Sequence, residues 1–263
     1  AERALPRRAR QDVEGDDFAE PARSDDDELQ EPDDADDLPG GRETGTFLHE
    51  VLERIALSGL ADRAVDAWRD DDEVRKLFAA SAAAHGVEAR HITRAQTLVH
   101  RALTSPIALG ARRLASFASL RGAVREMEFV FPIPEADGWR LSLPQGDTRV
   151  AIGRGVVRGF VRGFVRGFVD LVFQHDGLAY FADWKSDRLP AWHEYRLREH
   201  VERHYADQAT LYTLALVKML GVRGEADYEA RFGGLVYCFL RGMRGDGDGR
   251  DGVHFARPPF ATV

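Results

Sequence analysis

Lysine is scarce in this chain of 263 residues: of 36 basic residues only Lys76, Lys185 and Lys218 are lysines. Arginine therefore serves wherever a generic positive charge suffices, and a retained lysine marks a place where arginine would not do. A guanidinium stays protonated, whereas a compact ammonium on a flexible stem shifts its pKa when buried. Cysteine is scarcer still. Cys238 stands alone, which excludes an internal disulfide, and no Cys/His cluster has zinc spacing; both fit a reducing, cytoplasmic setting. No apolar run approaches the roughly 18 residues of a membrane helix, and no charged-then-apolar leader opens the chain. A G-x-x-x-x-G-K-[ST] phosphate loop is also missing. With Ala1 in place of Met, the expectation is a piece of a longer polypeptide, with any ATP-driven motor upstream.

The net charge of −8 would argue against a nucleic-acid partner if it were evenly spread. It is not. The first 44 residues hold 16 acids against 6 arginines, which leaves 28 acids and 30 bases for the remainder. The acidity belongs to a tail that includes D-D-D-E-L-Q-E-P-D-D-A-D-D-L-P-G-G, too charged and too poor in apolar residues to fold. Residues 1–42 are expected to form a disordered linker. The sharper alternative is a DNA-mimicking tail that screens a mildly basic body over 43–263.

The centre of that body is the stretch R-G-F-V-D-L-V-F-Q-H-D-G-L-A-Y-F-A-D-W-K-S-D at 166–187. Residues 169–173 and 178–184 have strand composition, and Asp176-Gly177 supplies a tight turn between them. Side chains alternate along a strand, so Asp183 and Lys185 share a face, and Asp170 can join them from across the hairpin. Two carboxylates and an ammonium suit a hard cation such as Mg²⁺ and phosphodiester hydrolysis. An isolated D-x-K is more often a solvated strand end, so the surrounding pattern carries the weight.

That pattern resembles the PD-(D/E)XK nuclease superfamily, and within it the RecB-type nuclease domains, over residues 44–260. Its fragments are G-T-F-L-H-E at 45–50, R-E-M-E-F at 125–129, G-F-V-D-L-V at 167–172, D-W-K-S at 183–186, Y-x-x-Q-x-x-x-Y at 205–212 and F-G-G-L-V-Y-C-F-L-R-G-M at 232–243. The resemblance implies an α/β restriction-endonuclease-like core, αβββαβ with a central mixed sheet flanked by helices, here with an added helical region over 62–120. It implies a Mg²⁺-dependent deoxyribonuclease of exodeoxyribonuclease V type, fed single strands by a helicase of the same polypeptide and partnered by RecC- and RecD-like subunits. His49, Asp170 and Asp183 would hold the metal with the Trp184 carbonyl, and Lys185 would assist the attacking water. Glu126 is favoured over Glu128 for the site by the E-x-x-F frame. Gln208 and Tyr212, with Tyr205, would contact DNA or order the site. An inactive nuclease-like scaffold is the main alternative, and an RNA-binding Arg-Gly module a remote one.

The rest reads more plainly. Thr44 is expected to cap a helix whose apolar stripe is Phe47, Leu48, Val51, Leu52 and Ile55. The H-E-x-x-E formed by His49, Glu50 and Glu53 lacks the second histidine of a zinc protease. His85, His91 and His100 are expected on the surface of the helical region, and His200 with His204 likewise. Residues 137–155 read as a hairpin or loop insertion. R-G-F-V occurs three times at 158–169; if it forms one strand, strict alternation gives its Arg and Phe residues the face of Asp170, and if not it is a bulging insert.

Overall fold

The computed structural model describes residues 38–132, 150–157, 160–245 and 247–262. The expected linker lies outside them up to residue 37, but its last residues pack against the body, with Leu38 fully buried. Gly41, at φ 104°, turns the chain into α1 (Arg42–Arg54), a conformation that glycine adopts without a Cβ penalty. The helix thus starts before Thr44, which is buried within its first turns instead of capping it. Phe47, Leu48, Val51 and Leu52 form the buried stripe.

Three helices follow: α2 (Val65–Arg69), α3 (Asp72–Ala84) and α4 (Ile92–Thr104). Asp71 caps α3 by accepting hydrogen bonds from the Glu73 and Val74 amides, satisfying donors that have no partner inside the helix. Two of the histidines expected on the surface are buried: His91 is 6% and His100 9% exposed. The helical periodicity places them correctly but does not show that Trp68 lies 5.3 Å from the His100 ring. A short ribbon, β1 (Ile107–Leu109) and β2 (Arg112–Leu114), closes this layer; three residues are too few for alternation to register in the sequence.

The main sheet is built from β3 (Ala123–Pro132), β4 (Val150–Val157), β5 (Phe160–His175) and β6 (Leu178–Lys185), then, after α5 (Glu194–His204), α6 (Ala206–Met219) and α7 (Glu225–Arg231), from β7 (Phe232–Phe239) and β8 (Val253–Ala256). Its order is β3-β5-β6-β7-β8, with β4 also paired to β5. Among the described residues only the β6–β7 pair is parallel, so the sheet is mixed. Asp176 at φ 49° and Gly177 at φ 79° make the two-residue turn of the β5–β6 hairpin, the left-handed pair that matches strand twist. Every residue of β6 and β7 is buried because helices cover both faces. Leu171, Phe173, Tyr180 and Trp184 pack with α1 and α4 on one side; Val169, Val172, Phe181 and Tyr212 pack on the α6 side.

The R-G-F-V copies within β5 are regular strand, paired to β4 from Phe160 to Gly167 without a register shift; Arg158 and Gly159 lie outside the described residues. Strict alternation with Asp170 does not hold, however. Val169 and Val172 share one core layer while Leu171 belongs to the other, so the facing slips at Asp170. The chain also breaks its helical path at Tyr205, whose φ of −127° ends α5 and starts α6.

Arg241, from the F-L-R-G-M segment, ties distant pieces together. Its guanidinium donates to the carbonyls of Ser186, Leu38 and Pro39 at 2.7–2.8 Å.

Candidate active site

Four elements deliver the site. α1 brings His49, β3 Glu126, β5 Asp170, and the end of β6 Asp183 and Lys185. Glu126 lies between the register pairs Arg125–Leu171 and Met127–Val169, opposite Asp170, with a φ of 45°. Left-handed backbone at a residue with a side chain costs of order 1–3 kcal/mol and tends to collect at functional sites. Here it reverses the facing of β3. Arg125 reaches the carbonyls of Glu53 and Ile55 at the end of α1, whereas Met127 packs on the α6 side.

The result is a group of three donors. A His49 ring nitrogen and one carboxylate oxygen each from Glu126 and Asp170 all lie within 4.8 Å of one another. His49 Nδ1 and Asp170 Oδ1 are 3.4 Å apart, close to the roughly 3 Å between neighbouring ligands of an octahedral ion with 2.1 Å bonds. One imidazole and two carboxylates are a donor set that fits a divalent cation. The second oxygen of Asp170 accepts a hydrogen bond of 2.7 Å from the Trp184 amide, which fixes the carboxylate and leaves Oδ1 facing His49. Glu128 is elsewhere, paired with Arg166 on the exposed side of the sheet.

Asp183 is not one of the three. It is fully buried, with Oδ2 2.8 Å from Lys185 Nζ and Oδ1 3.4 Å from Gln208 Nε2. Lys185 also donates to Gln208 Oε1 at 3.1 Å. Gln208 in turn reaches Tyr212, whose hydroxyl donates to the Phe168 carbonyl at 2.7 Å. The Q-x-x-x-Y residues therefore brace the lysine and β5 from beneath. A buried charge is tolerated only when paired, and this network supplies the pairing.

Two groups were missed in the sequence. Asp187 continues the D-x-K alternation by one more step, a signal present at 183, 185 and 187. Its Oδ1 takes the Tyr205 hydroxyl and His200 Nε2, both at 2.8 Å, so His200, half-buried and 4.6 Å from the His204 ring, is also bonded into the site's surroundings. Burial raises the Asp187 pKa, but hydrogen bonds and the charges of His200 and Lys185 outweigh it and hold the carboxyl below the usual value. The second group is Glu50, which accepts from Ser81 and lies 2.7 Å from His85 Nε2; burial is again outweighed by hydrogen bonds, and its pKa is lowered. No single-helix pattern could show that contact, which joins α1 to α3. Glu50 and His85, with Thr46, His49, Glu53 and Glu126, line a shallow cleft of about 270 Å³ that includes two members of the donor group.

The PD-(D/E)XK nuclease superfamily model matches residues 23–256. The chain is 31% identical to the RecBCD enzyme subunit RecB of Haemophilus influenzae over 243 residues, covering 86% of this chain and 18% of that protein. The Escherichia coli subunit of the same name is 31% identical over 235 residues, 86% of this chain and 19% of the relative. That of Borreliella burgdorferi is 24% identical over 241 residues, with 86% and 19% covered. The chain thus spans less than a fifth of the length of these relatives. A family match over most of the chain, on a mixed sheet that gathers an imidazole, buried carboxylates and a paired lysine, has one reading: this chain belongs to the PD-(D/E)XK nuclease superfamily, as a RecB-like, metal-dependent nuclease domain.

Proposed function

We propose that the chain is a Mg²⁺-dependent deoxyribonuclease domain of the exodeoxyribonuclease V type, acting in DNA end processing and recombinational repair. The observation that carries this is the convergence of His49, Glu126 and Asp170 beside the Asp183–Lys185 pair. His49, Asp170 and Asp183, with the Trp184 carbonyl, would hold the cation, and Glu126 would complete or adjust the set. A bound Mg²⁺ supplies neutralisation of phosphate charge and a more acidic water. Lys185, held by Asp183 and Gln208, orients the attacking water and stabilises the negative charge that develops in the transition state. Gln208 and Tyr212 order that lysine and β5, and Tyr205 belongs with them.

The family relatives are subunits of a RecBCD enzyme. By extension we read this domain as working beside a helicase region of the same polypeptide that delivers single-stranded DNA, with RecC- and RecD-like subunits, in the cytoplasm. Among the described residues no helix is long and apolar enough to cross a membrane. The acidic residues 1–42 serve in this reading as a linker.

The experiment is cleavage of single- and double-stranded DNA with and without Mg²⁺, alongside Asp183→Ala and Lys185→Arg. Folded variants that lose cleavage agree with the proposal. Cleavage without any divalent cation, or near-normal cleavage by either variant, overturns it.

A further inference from the structure

Lys185 has three N–H donors. Two of them meet oxygens, Asp183 Oδ2 at 2.8 Å and Gln208 Oε1 at 3.1 Å. The ammonium also lies against aromatic faces: Nζ stands 3.9 Å from the centre of the Tyr205 ring and 5.7 Å from that of Tyr237. These rings are themselves stacked, 5.8 Å apart and inclined by 22°. An ammonium over a tyrosine face is attracted by the ring quadrupole, more strongly where water is excluded, and Lys185 is 9% exposed.

Tyr205 is in turn fixed from behind. It occupies the joint between α5 and α6, where the helical path breaks and the ring can turn towards β6. Its hydroxyl donates to Asp187 Oδ1, the oxygen that also faces His200 Nε2, each at 2.8 Å. The His200 ring lies edge-on to Tyr205 at 5.7 Å and to Phe239 at the same distance. Asp187, His200 and Tyr205 thus make one rigid assembly whose working surface is a ring face under the lysine.

We infer that Tyr205, braced by the Asp187–His200 pair, is a positioning residue for Lys185: it supplies the third wall that keeps the ammonium over Asp183. This rests on the reading of Lys185 as the lysine that assists the attacking water. A lysine stem with four rotatable bonds strays when one wall is removed, and misplacement by about 1 Å can cost on the order of 100-fold in rate. The donors His49, Glu126 and Asp170 come from α1, β3 and β5, away from the joint that carries Tyr205; of the residues proposed to hold the cation, Asp183 is the one whose carboxylate is shared with Lys185.

The low lysine count makes the test direct. With lysine ¹³Cε labelling, the full chain gives signals from Lys76, Lys185 and Lys218 alone, and the Hε resonances of Lys185 are expected upfield of the others through the ring current of Tyr205. Tyr205→Leu removes the upfield displacement and lowers kcat by about ten- to hundred-fold, a larger factor than any change in KM for single-stranded DNA or in Mg²⁺ affinity by calorimetry. Tyr205→Phe keeps the ring and recovers most of the rate. Asp187→Asn, which leaves every ring in place, gives an intermediate loss of both displacement and kcat, and serves alone if Tyr205→Leu does not fold. A wild-type Lys185 signal without upfield displacement overturns the inference, as does wild-type kcat in both Tyr205→Leu and Asp187→Asn. Lys185→Ala separates the two levels: full activity there removes the catalytic reading of the lysine, whereas an inactive Lys185→Ala beside a fully active Tyr205→Leu removes only the positioning role.

Discussion

Glu126 sits directly across from Asp170 on neighbouring antiparallel strands, with the left-handed φ of 45° that turns β3 over at that residue. The two carboxylates meet His49 because of this irregularity; continued alternation would have sent the flanking residues to the wrong layers.

The backbone at Glu126 gives the first prediction. Glu126→Gly removes the Cβ penalty, which is of order 1–3 kcal/mol, against an added glycine entropy cost of about 0.5–1 kcal/mol. The variant is expected to melt at or above the wild-type temperature and to lose Mg²⁺ affinity and cleavage together. Glu128→Gln breaks only an exposed pair with Arg166 and is expected to change stability by about 1 kcal/mol or less and to keep cleavage. Equal loss of activity in the two variants would refute this division of labour.

Asp170→Asn tests the other carboxylate. An amide oxygen can still accept the Trp184 N–H that now reaches Oδ2, so the hairpin is expected to stay folded while the charge facing His49 is gone. Terbium luminescence should report weakened cation binding, and cleavage should fall by at least about 100-fold. Retained cation affinity would exclude Asp170 as a ligand.

Tyr212→Phe takes away the donor that reaches the Phe168 carbonyl at 2.7 Å, on the strand that carries Asp170. Losing a buried partner costs about 1–3 kcal/mol. Urea unfolding should show a loss of that size, and the Gln208 amide that reaches Tyr212 should rearrange enough to reduce cleavage. A variant as stable as the wild type would remove Tyr212 from the bracing network.

Stability should decline as solutions are made mildly acidic. Burial lowers the pKa of His100, against the pull of the Arg63 carbonyl, and burial also lowers that of His254, against the charges of Glu194 and Glu202. In the unfolded chain both titrate near about pH 6.5. Below that pH the unfolded state binds protons that the fold refuses, so unfolding free energy falls as pH falls and recovers above it. Denaturant melts from pH 8 to pH 5.5 should show this slope, and His100→Gln should flatten it. A slope unaffected by that substitution would mean that His100 takes no part.

How much of this could be read beforehand follows from the range of each signal. The β5–β6 hairpin was legible because Asp176-Gly177 and two apolar runs are local. The closeness of Asp183 and Lys185, 2.8 Å apart, was legible from the same strand by alternation, whereas their singling out as site residues rested on the wider pattern of motifs. The facing slip at Asp170 was not, since it depends on the left-handed residue across the sheet at Glu126. Neither was the burial of His91 and His100, which is decided by what packs on α4. The ends of elements were least legible, as at Thr44 and Tyr205, where tertiary neighbours override the helical pattern.

Arg241 holds three carbonyls, of Leu38, Pro39 and Ser186, and so closes a loop of force around the site. The segment entering α1, which carries His49, and the segment leaving β6, just past Lys185, are fastened to one guanidinium that itself follows β7. A pull on the chain at residue 38 is therefore borne by the frame that sets the separation of His49 from Asp183, and slack at either end is slack at both.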